Sequence, residues 1–336
     1  MPLTTVPTLS ICIASMRRPV ELRRQVERLL TDADGLAVEI VVADASSPAE
    51  QLDLDHPFLT VLRLDGPNGV DHDYELAIRA ASGEYCWLFT DDDSAAEGTC
   101  RQLLDLINRS DVRPSLVLID AAVLSPDGQV LRPSMLGADA PAQLDPAAPV
   151  HEFAPISGLL TFIGSVVIDR RLWLSRVSER FVGSEFRHVG LILESPLPGP
   201  VLVIREPLIS IRYGVAHWEQ RAVRVWLRQW PDLVHEVVPL AQHWPLFYPV
   251  SPVRQLADAL CYRARGILTH ATVVDCYPER SSSAARAGFR AVAAIPLRLA
   301  KFIVVGNARL RDSDTAMLQF DIDRGQMIAR RSRVAS

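Results

Sequence analysis

The chain has 336 residues, of which 49% are hydrophobic, and a formal net charge of −5 at pH 7. That length suits one large α/β domain with additions or two smaller domains, and the apolar fraction is ample for a core. The negative balance argues against broad phosphate-backbone binding, so nucleic acid is not expected as a partner. Five cysteines without a Cys-x-x-Cys spacing form neither a disulfide framework nor a zinc site. No basic leader with an apolar centre opens the chain, and no apolar run is long enough to span a bilayer. The expectation is a cytoplasmic protein, soluble or attached at the inner face of the membrane.

Leu9 to Ile13 predicts a first strand, Ala14 to Arg18 the loop at its end, and Pro19 a first-turn helix residue. Leu22, Val26, Leu29 and Leu30 then give that helix its apolar face. Asp34-Gly35 breaks it. Val38 to Ala43 is a second strand ending at Asp44, and Leu59 to Leu64 a third. Tyr74, Ala77, Ile78 and Ala81 mark the next helix, for which Ser82-Gly83 supplies a stop, glycine being suited to the left-handed backbone of a helix exit. Tyr85 to Phe89 is a fourth strand and Ser115 to Asp120 a fifth. Cys12 and Cys86 read as small buried hydrophobes within strands. Strands alternating with helices imply right-handed crossovers and a mainly parallel sheet.

Residues 134–149, rich in Ala, Pro and Asp, read as a mobile loop or a surface insertion. Ser165 to Ile168 returns to strand, Arg170 to Ser175 to a short helix, and Phe181 to His188 to a loop. Val201 to Ile204 and Leu208 to Ile211 look like two closing strands. From His217 onward the pattern is helical, with one stripe at Val223, Trp226, Leu227 and Trp230. A second runs through Val253, Leu256, Ala257, Leu260, Cys261 and Ala264. Ala284 to Val305 is apolar but carries Arg286, Arg290, Arg298 and Lys301, and Pro296 interrupts it. Such a basic amphipathic segment packs on its own domain or makes peripheral contact with an anionic membrane.

The chemistry concentrates at Asp91, Asp92 and Asp93, directly after the fourth strand. Open α/β sheets place ligands at the C-terminal ends of their strands. Three carboxylates on so short a loop repel one another unless a cation joins them, and Mg²⁺ or Mn²⁺ prefers such hard oxygen ligands. The plainer alternative is helix entry: Ser94 and Glu97 have the spacing of a capping box ahead of the stripe Cys100, Leu103, Leu104 and Ile107. Strand before and helix behind favour the metal site.

The order of these features resembles the family 2 glycosyltransferases, whose nucleotide-sugar domain has the GT-A fold. The residues that carry the likeness are Leu9-Ser-Ile-Cys-Ile-Ala-Ser-Met-Arg-Arg-Pro19, Val38-Glu-Ile-Val-Val-Ala-Asp44, Asn68-Gly69, and Ala81-Ser-Gly-Glu-Tyr85 leading to Asp91-Asp-Asp93. The stretch Gly83 to Phe89 is most similar to the O-antigen abequosyltransferase group. The resemblance implies an α/β GT-A fold, a mixed and mainly parallel sheet with flanking helices and a helical C-terminal extension. Residues 1–125 would form the nucleotide-sugar half, 126–215 the acceptor-side half and 216–336 the helical region. It further implies a nucleotide-diphosphate sugar donor, a divalent cation (Mg²⁺ or Mn²⁺) and a hydroxyl acceptor on a glycan, glycolipid or small molecule. Donor-binding candidates are Ala14, Ser15, Arg17, Asp44, Asn68, Asp73, Asp91 and Asp92. The cation falls chiefly to Asp93, with Asp91, and with His217 approaching from the C-terminal side.

The acceptor hydroxyl needs a general base. Where the family carries a Glu-Asp pair before a helix, this chain reads Gly183-Ser-Glu-Phe-Arg-His188, so Glu185 and His188 stand as equal candidates. The first loop, Ala14-Ser-Met-Arg-Arg18, departs from the family's Pro-Thr-Tyr-Asn-Arg and leaves the nucleobase open. The Gln-x-x-Arg-Trp motif of processive synthases is absent, which favours transfer of a single sugar. The expectation is an inverting glycosyltransferase. A metal-dependent phosphohydrolase or nucleotidyltransferase, or a non-catalytic nucleotide-sugar-binding module, would use the same acids differently.

Overall fold

The computed structural model describes residues 7–66, 68–176, 179–215, 221–276, 283–310 and 316–324. The chain forms two compact units, Met1–Leu124 with Pro133–Arg212 and Ser125–Arg132 with Tyr213–Ser336.

The first unit holds β1 (Leu9–Ser15), α1 (Pro19–Asp32), β2 (Val38–Asp44), β3 (Leu59–Arg63), α2 (Val70–Ala80), β4 (Tyr85–Phe89), β5 (Ser94–Ala95), α3 (Thr99–Arg109) and β6 (Leu116–Leu124). β7 (Val130–Arg132) goes with the second unit. The first unit continues with β8 (Gln143–Leu144), α4 (Ser157–Thr161), β9 (Val166–Asp169), α5 (Arg170–Ser175), α6 (Arg187–Leu193) and β10 (Val201–Arg212). Its sheet runs β3-β2-β1-β4-β9-β6-β10-β5, with β8 against β10. β3, β2, β1 and β4 are parallel, and so are β6 and β10; β9 runs antiparallel between β4 and β6. The short β5 and β8 also run antiparallel to β10, and the mainly parallel remainder matches the strand–helix alternation of the sequence.

β4 is apolar along its whole length, and β1 is so apart from Ser10 and Ser15, as suits strands covered on both faces. The core gathers Ile11, Ile13, Trp87 and Phe89 with Leu22, Val26, Leu103 and Leu104 from α1 and α3. Three of the buried aromatics anchor their polar ends on main-chain carbonyls, whereas the buried Trp173 Nε1 makes no hydrogen bond among the described residues. Trp87 Nε1 donates to the Gly164 carbonyl at 2.8 Å, Tyr85 to Pro114 at 2.9 Å and Tyr74 to Phe89 at 2.7 Å. Cys12 and Cys86 are buried and unbridged.

Four local expectations change. Val201–Ile204 and Leu208–Ile211 fuse into the single strand β10, whose register against β6 shifts on either side of Pro207, where proline has no N–H for the ladder. Ser94 pairs as β5 instead of capping a helix, and α3 starts only at Thr99. Its first amides are capped from a distance: the Asp32 carboxylate accepts from Gly98 N at 2.5 Å and Cys100 N at 2.9 Å. Residues 134–149 are tied down, with β8 on β10 and the Ser134 hydroxyl donating to Asp120 at 2.5 Å.

Gly83 is needed for space and not for a left-handed exit. α2 ends in extended backbone at Ala81, and a Cβ on Gly83 would stand 2.4 Å from Ser10 Oγ and 2.9 Å from Ser10 N. Its own N–H donates to that hydroxyl at 2.9 Å.

The second unit is helical: α7 (Ala222–Arg224), a π-helical turn Val225–Gln229, α8 (Trp230–Val237), α9 (Pro252–Ala264), α10 (His270–Cys276), α11 (Ser283–Ala294) and α12 (Leu297–Leu310). Val223, Ala259, Leu268, Val273, Phe289 and Ala293 form one small core. Ala264, Ala300, Val304 and Ile322 form another. Val253 does not join the α9 stripe and is 76% exposed. Pro296 separates α11 from α12, as its ring requires. α12 buries Ala300 and Val304 while leaving Leu299, Phe302 and Ile303 in solvent. Among the described residues no helix is long and apolar enough to cross a membrane.

Gly83→Ala is expected to destabilise the protein by about 2 kcal/mol, because the new methyl meets backbone as well as a hydroxyl. A fall in the urea midpoint at unchanged m-value checks this; an unchanged midpoint means the loop yields freely.

Candidate functional site

The chain order places a reversal at β1. From β1 the strands run outward to β2 and β3 on one side, and the chain then returns to lay β4 on the other side. Such a switch point leaves a crevice at the C-terminal ends of the two strands. Ser15 ends β1 and Asp91 follows β4. The Ser15 hydroxyl donates to Asp91 Oδ2 at 2.6 Å. Arg18, just before α1, places its guanidinium against both Asp91 Oδ1, at 3.2 Å, and Asp92 Oδ2. Asp93 accepts from Thr90 Oγ1 at 2.6 Å and from the Arg212 amide at 2.9 Å.

Burial, and then the charge of Asp92, pushes the Asp91 carboxyl up to about 6 and that of Asp93 up to about 7. Hydrogen bonds from Ser15 and Thr90 pull the other way without prevailing. The donor set is hard oxygen, crowded and starved of positive charge, and a guanidinium already lies between two of its members. Asp91 and Asp93 therefore fit a divalent cation. Among the described residues no three His, Cys, Asp or Glu side chains close around one point. A cation here would take its remaining ligands from a bound anion or water, as Mg²⁺ commonly does.

A second cluster builds the Gly183–His188 loop. α2 starts beyond the C-terminal end of β3, which puts its first turn at the same sheet edge as the aspartates. From that turn the Asp71 carboxylate accepts from Gly183 N at 2.9 Å, Glu185 N at 3.2 Å and Arg187 N at 3.3 Å. One turn on, Glu75 pairs with Arg187 at 2.9 Å and with Arg79 at 2.6 Å. Arg187 and Glu75 are both buried. Glu185 itself adopts φ +66°, a left-handed backbone costing a side-chain-bearing residue on the order of 1 kcal/mol or more.

The other sequence candidates divide. His188 is 3% exposed in α6, its Nε2 is 2.8 Å from the Leu160 carbonyl, and burial lowers its imidazole to about 4. It is a core residue and not an accessible base; Glu185, partly exposed at the loop tip, keeps that candidacy. Asp44 is wholly buried, and its oxygens accept from Ser46 N at 3.0 Å and Leu52 N at 2.8 Å. It therefore shapes the loop after β2 from beneath and does not reach out to a ligand. Ala14 lies in β1 beside Ser15, and exposed Arg17 is held at φ +59° with its amide on Ser46 Oγ at 2.8 Å. Asn68 is exposed, with Nδ2 3.4 Å from the Gly66 carbonyl. Asp73 is buried on α2, raised by that burial to about 6, and its Oδ1 makes no hydrogen bond. His217 lies outside the described residues.

Arg18, Asp71, Glu75 and Arg187 complete the arrangement although none was a site candidate from sequence, Arg18 and Arg187 lying within motif stretches without a role of their own. Asp71, Glu75 and Arg79 do share i, i+4 spacing and hence one helix face. Arg18 differs from Arg17 only in which way the loop turns it.

Comparison with known proteins bears on residues 10–130, which match the family model "Glycosyl transferase family 2". A curated relative, the abequosyltransferase RfbV of Salmonella typhimurium, is 23% identical over 227 residues. That match takes in 61% of this chain and 66% of the relative, just under two thirds of its length. Among solved structures, S. aureus TarS 1-349 in complex with UDP-GlcNAc aligns with a TM-score of 0.51 at 13% identity. It covers 85% of this chain and 90% of that one. At such identity the likeness establishes the fold, a GT-A sheet with flanking helices and a C-terminal helical region.

Asp91 and Asp93 hold a proton more tightly in the folded protein than at the ordinary carboxyl value of 3.8. The stability linked to them is complete below that value and is lost as pH rises through about 6 and about 7. Asp93→Asn is therefore expected to be more stable than the unchanged protein at pH 8, with the gap closing at pH 5. Urea unfolding at both pH values checks this, and a gap independent of pH refutes the assignment.

Proposed function

With residues 10–130 matching the family model "Glycosyl transferase family 2", we propose that the chain is a member of that family and transfers a single sugar, with inversion, from a nucleotide-diphosphate donor to a hydroxyl acceptor. The observation that carries the reading is the bridge across the β1/β4 switch point. There Ser15 and Arg18 hold Asp91 and Asp92, and Asp93 sits next to them, buried and short of compensating positive charge. The relative RfbV is named as a sugar transferase and the TarS structure as a complex with UDP-GlcNAc, which supports a donor of that class.

The ends of β1 and β2 receive the nucleoside, with Ser15, Arg17 and the loop that Asp44 shapes forming its seat. Asp91 orients the nucleotide side, and Asp93 with Asp91 would hold the cation. A divalent cation bound there supplies Lewis-acid stabilisation of the departing diphosphate. Arg18 lies close enough to those acids to turn its charge toward the phosphates once they arrive, since guanidinium pairs well with phosphate oxygens.

Glu185 is the general base. It takes the proton from the acceptor hydroxyl as that oxygen bonds to the anomeric carbon. The bond from that carbon to the phosphate oxygen breaks on the opposite face, and its electron pair leaves with the diphosphate. One displacement inverts the anomeric centre. A carboxylate suits this role better than His188, whose ring is enclosed and engaged.

A thermal-shift screen of UDP, GDP, CDP and dTDP, with and without Mn²⁺, is expected to show one nucleotide raising the melting temperature in a cation-dependent way. Asp93→Ala should abolish the cation-dependent part. Glu185→Gln should keep it while lowering kcat by roughly 10²–10⁴-fold. Undiminished turnover in Asp93→Ala would overturn the reading.

A further inference from the structure

We propose that Asp71 is a positioning residue that holds Glu185 in its left-handed conformation and so aims the carboxylate at the acceptor; this rests on the reading of Glu185 as the base. The two residues are 114 positions apart in the chain and meet through backbone, not through side chains. Asp71 takes the amides at alternate positions 183, 185 and 187, so one carboxylate defines the path of the whole turn. Two residues of that turn have positive φ, Gly183 at +80° and Glu185 at +66°. Glycine accepts such a value freely, but glutamate does so only where the surroundings over-determine it.

The surroundings do so here. Besides the three amide bonds, Arg187 returns a contact to α2, its Nη1 donating to the Asp71 carbonyl at 3.3 Å. Its Nη2 pairs with Glu75 at 2.9 Å, and Arg79 holds the other Glu75 oxygen at 2.6 Å. Asp71 is itself nine-tenths buried, and burial raises its carboxyl despite the three amides that favour the charged form. A buried carboxylate that accepts from three backbone amides, with the Arg187 charge nearby, is a poor candidate for contact with a ligand and a good one for setting a loop. The first turn of α2 therefore acts as a jig, carrying the base to the sheet edge where the aspartates gather.

The test uses the full chain. Hydrogen exchange followed by NMR or mass spectrometry should show the amides of 183, 185 and 187 protected in the unchanged protein. Asp71→Asn should speed their exchange at least tenfold while exchange in β1 and β4 stays as it was. With a panel of UDP-, GDP-, CDP- and dTDP-sugars and water as acceptor, Asp71→Asn should lower kcat by about 10²-fold at unchanged donor KM, as misplacement of a reacting group does. In a Glu185→Gln background the same change should have no further effect on kcat, because a residue acting through the base loses its influence once the base is gone.

Should Asp71→Asn fail to fold, Asp71→Asn with Glu185→Gly removes the backbone strain and is expected to fold, with the 183–187 amides exposed to exchange. Unaltered exchange of those amides in either variant overturns the proposal, and so does a full additional loss of kcat in the double mutant. If Glu185→Gln itself retains turnover, the base assignment fails, whereas the exchange result still decides whether Asp71 sets the turn.

Discussion

The arrangement depends on excess negative charge at the end of a buried strand. Asp91 and Asp93 are pressed into a polar crevice where water cannot screen them well, and each is pushed toward neutrality by burial and by Asp92. Arg18 is the protein's own partial answer, a single guanidinium shared between Asp91 and Asp92. Buried like charges are costly unless countered. A site left in this condition is poised to gain from any ligand that brings positive charge, and a cation–diphosphate pair brings both a charge for the acids and an anion for Arg18.

The rest of the first unit fixes the edges of that crevice. β1 and β4 are covered on both faces, and Tyr85 and Trp87 of β4, with Tyr74 of α2, are anchored by hydrogen bonds to main-chain carbonyls. The close approach at Gly83 locks the entry to β4 against β1. Loops emerging from such a frame can carry strained or charged residues, because the frame and not the loop supplies the stability.

Carboxylates serve three different purposes within this one unit. Asp44 and Asp71 satisfy backbone amides and act as shapers of loops; Asp32 does the same for the first turn of α3. Glu75 balances buried arginine. Asp91, Asp92 and Asp93 lack enough such partners of their own and remain available for chemistry. What separates the groups is the number of N–H donors aimed at them.

The strands, the order of helices and the acidic end of β4 were legible from sequence, since apolar runs and their breaks follow from local chain periodicity. So was the choice of Glu185 and His188 as candidates, but not the choice between them. His188 is adjacent to the loop in sequence yet points into the core, where Leu160 holds it. Ser94 with Glu97 has the spacing of a cap, but pairing of Ser94 with β10 removed it and Asp32 took over from 66 residues away. Asp71 meets the Gly183 amide across 112 positions. Local propensity is written into neighbouring residues and determines elements; which acid finds which amide is decided by contacts that exist only once the sheet has brought distant segments to one edge.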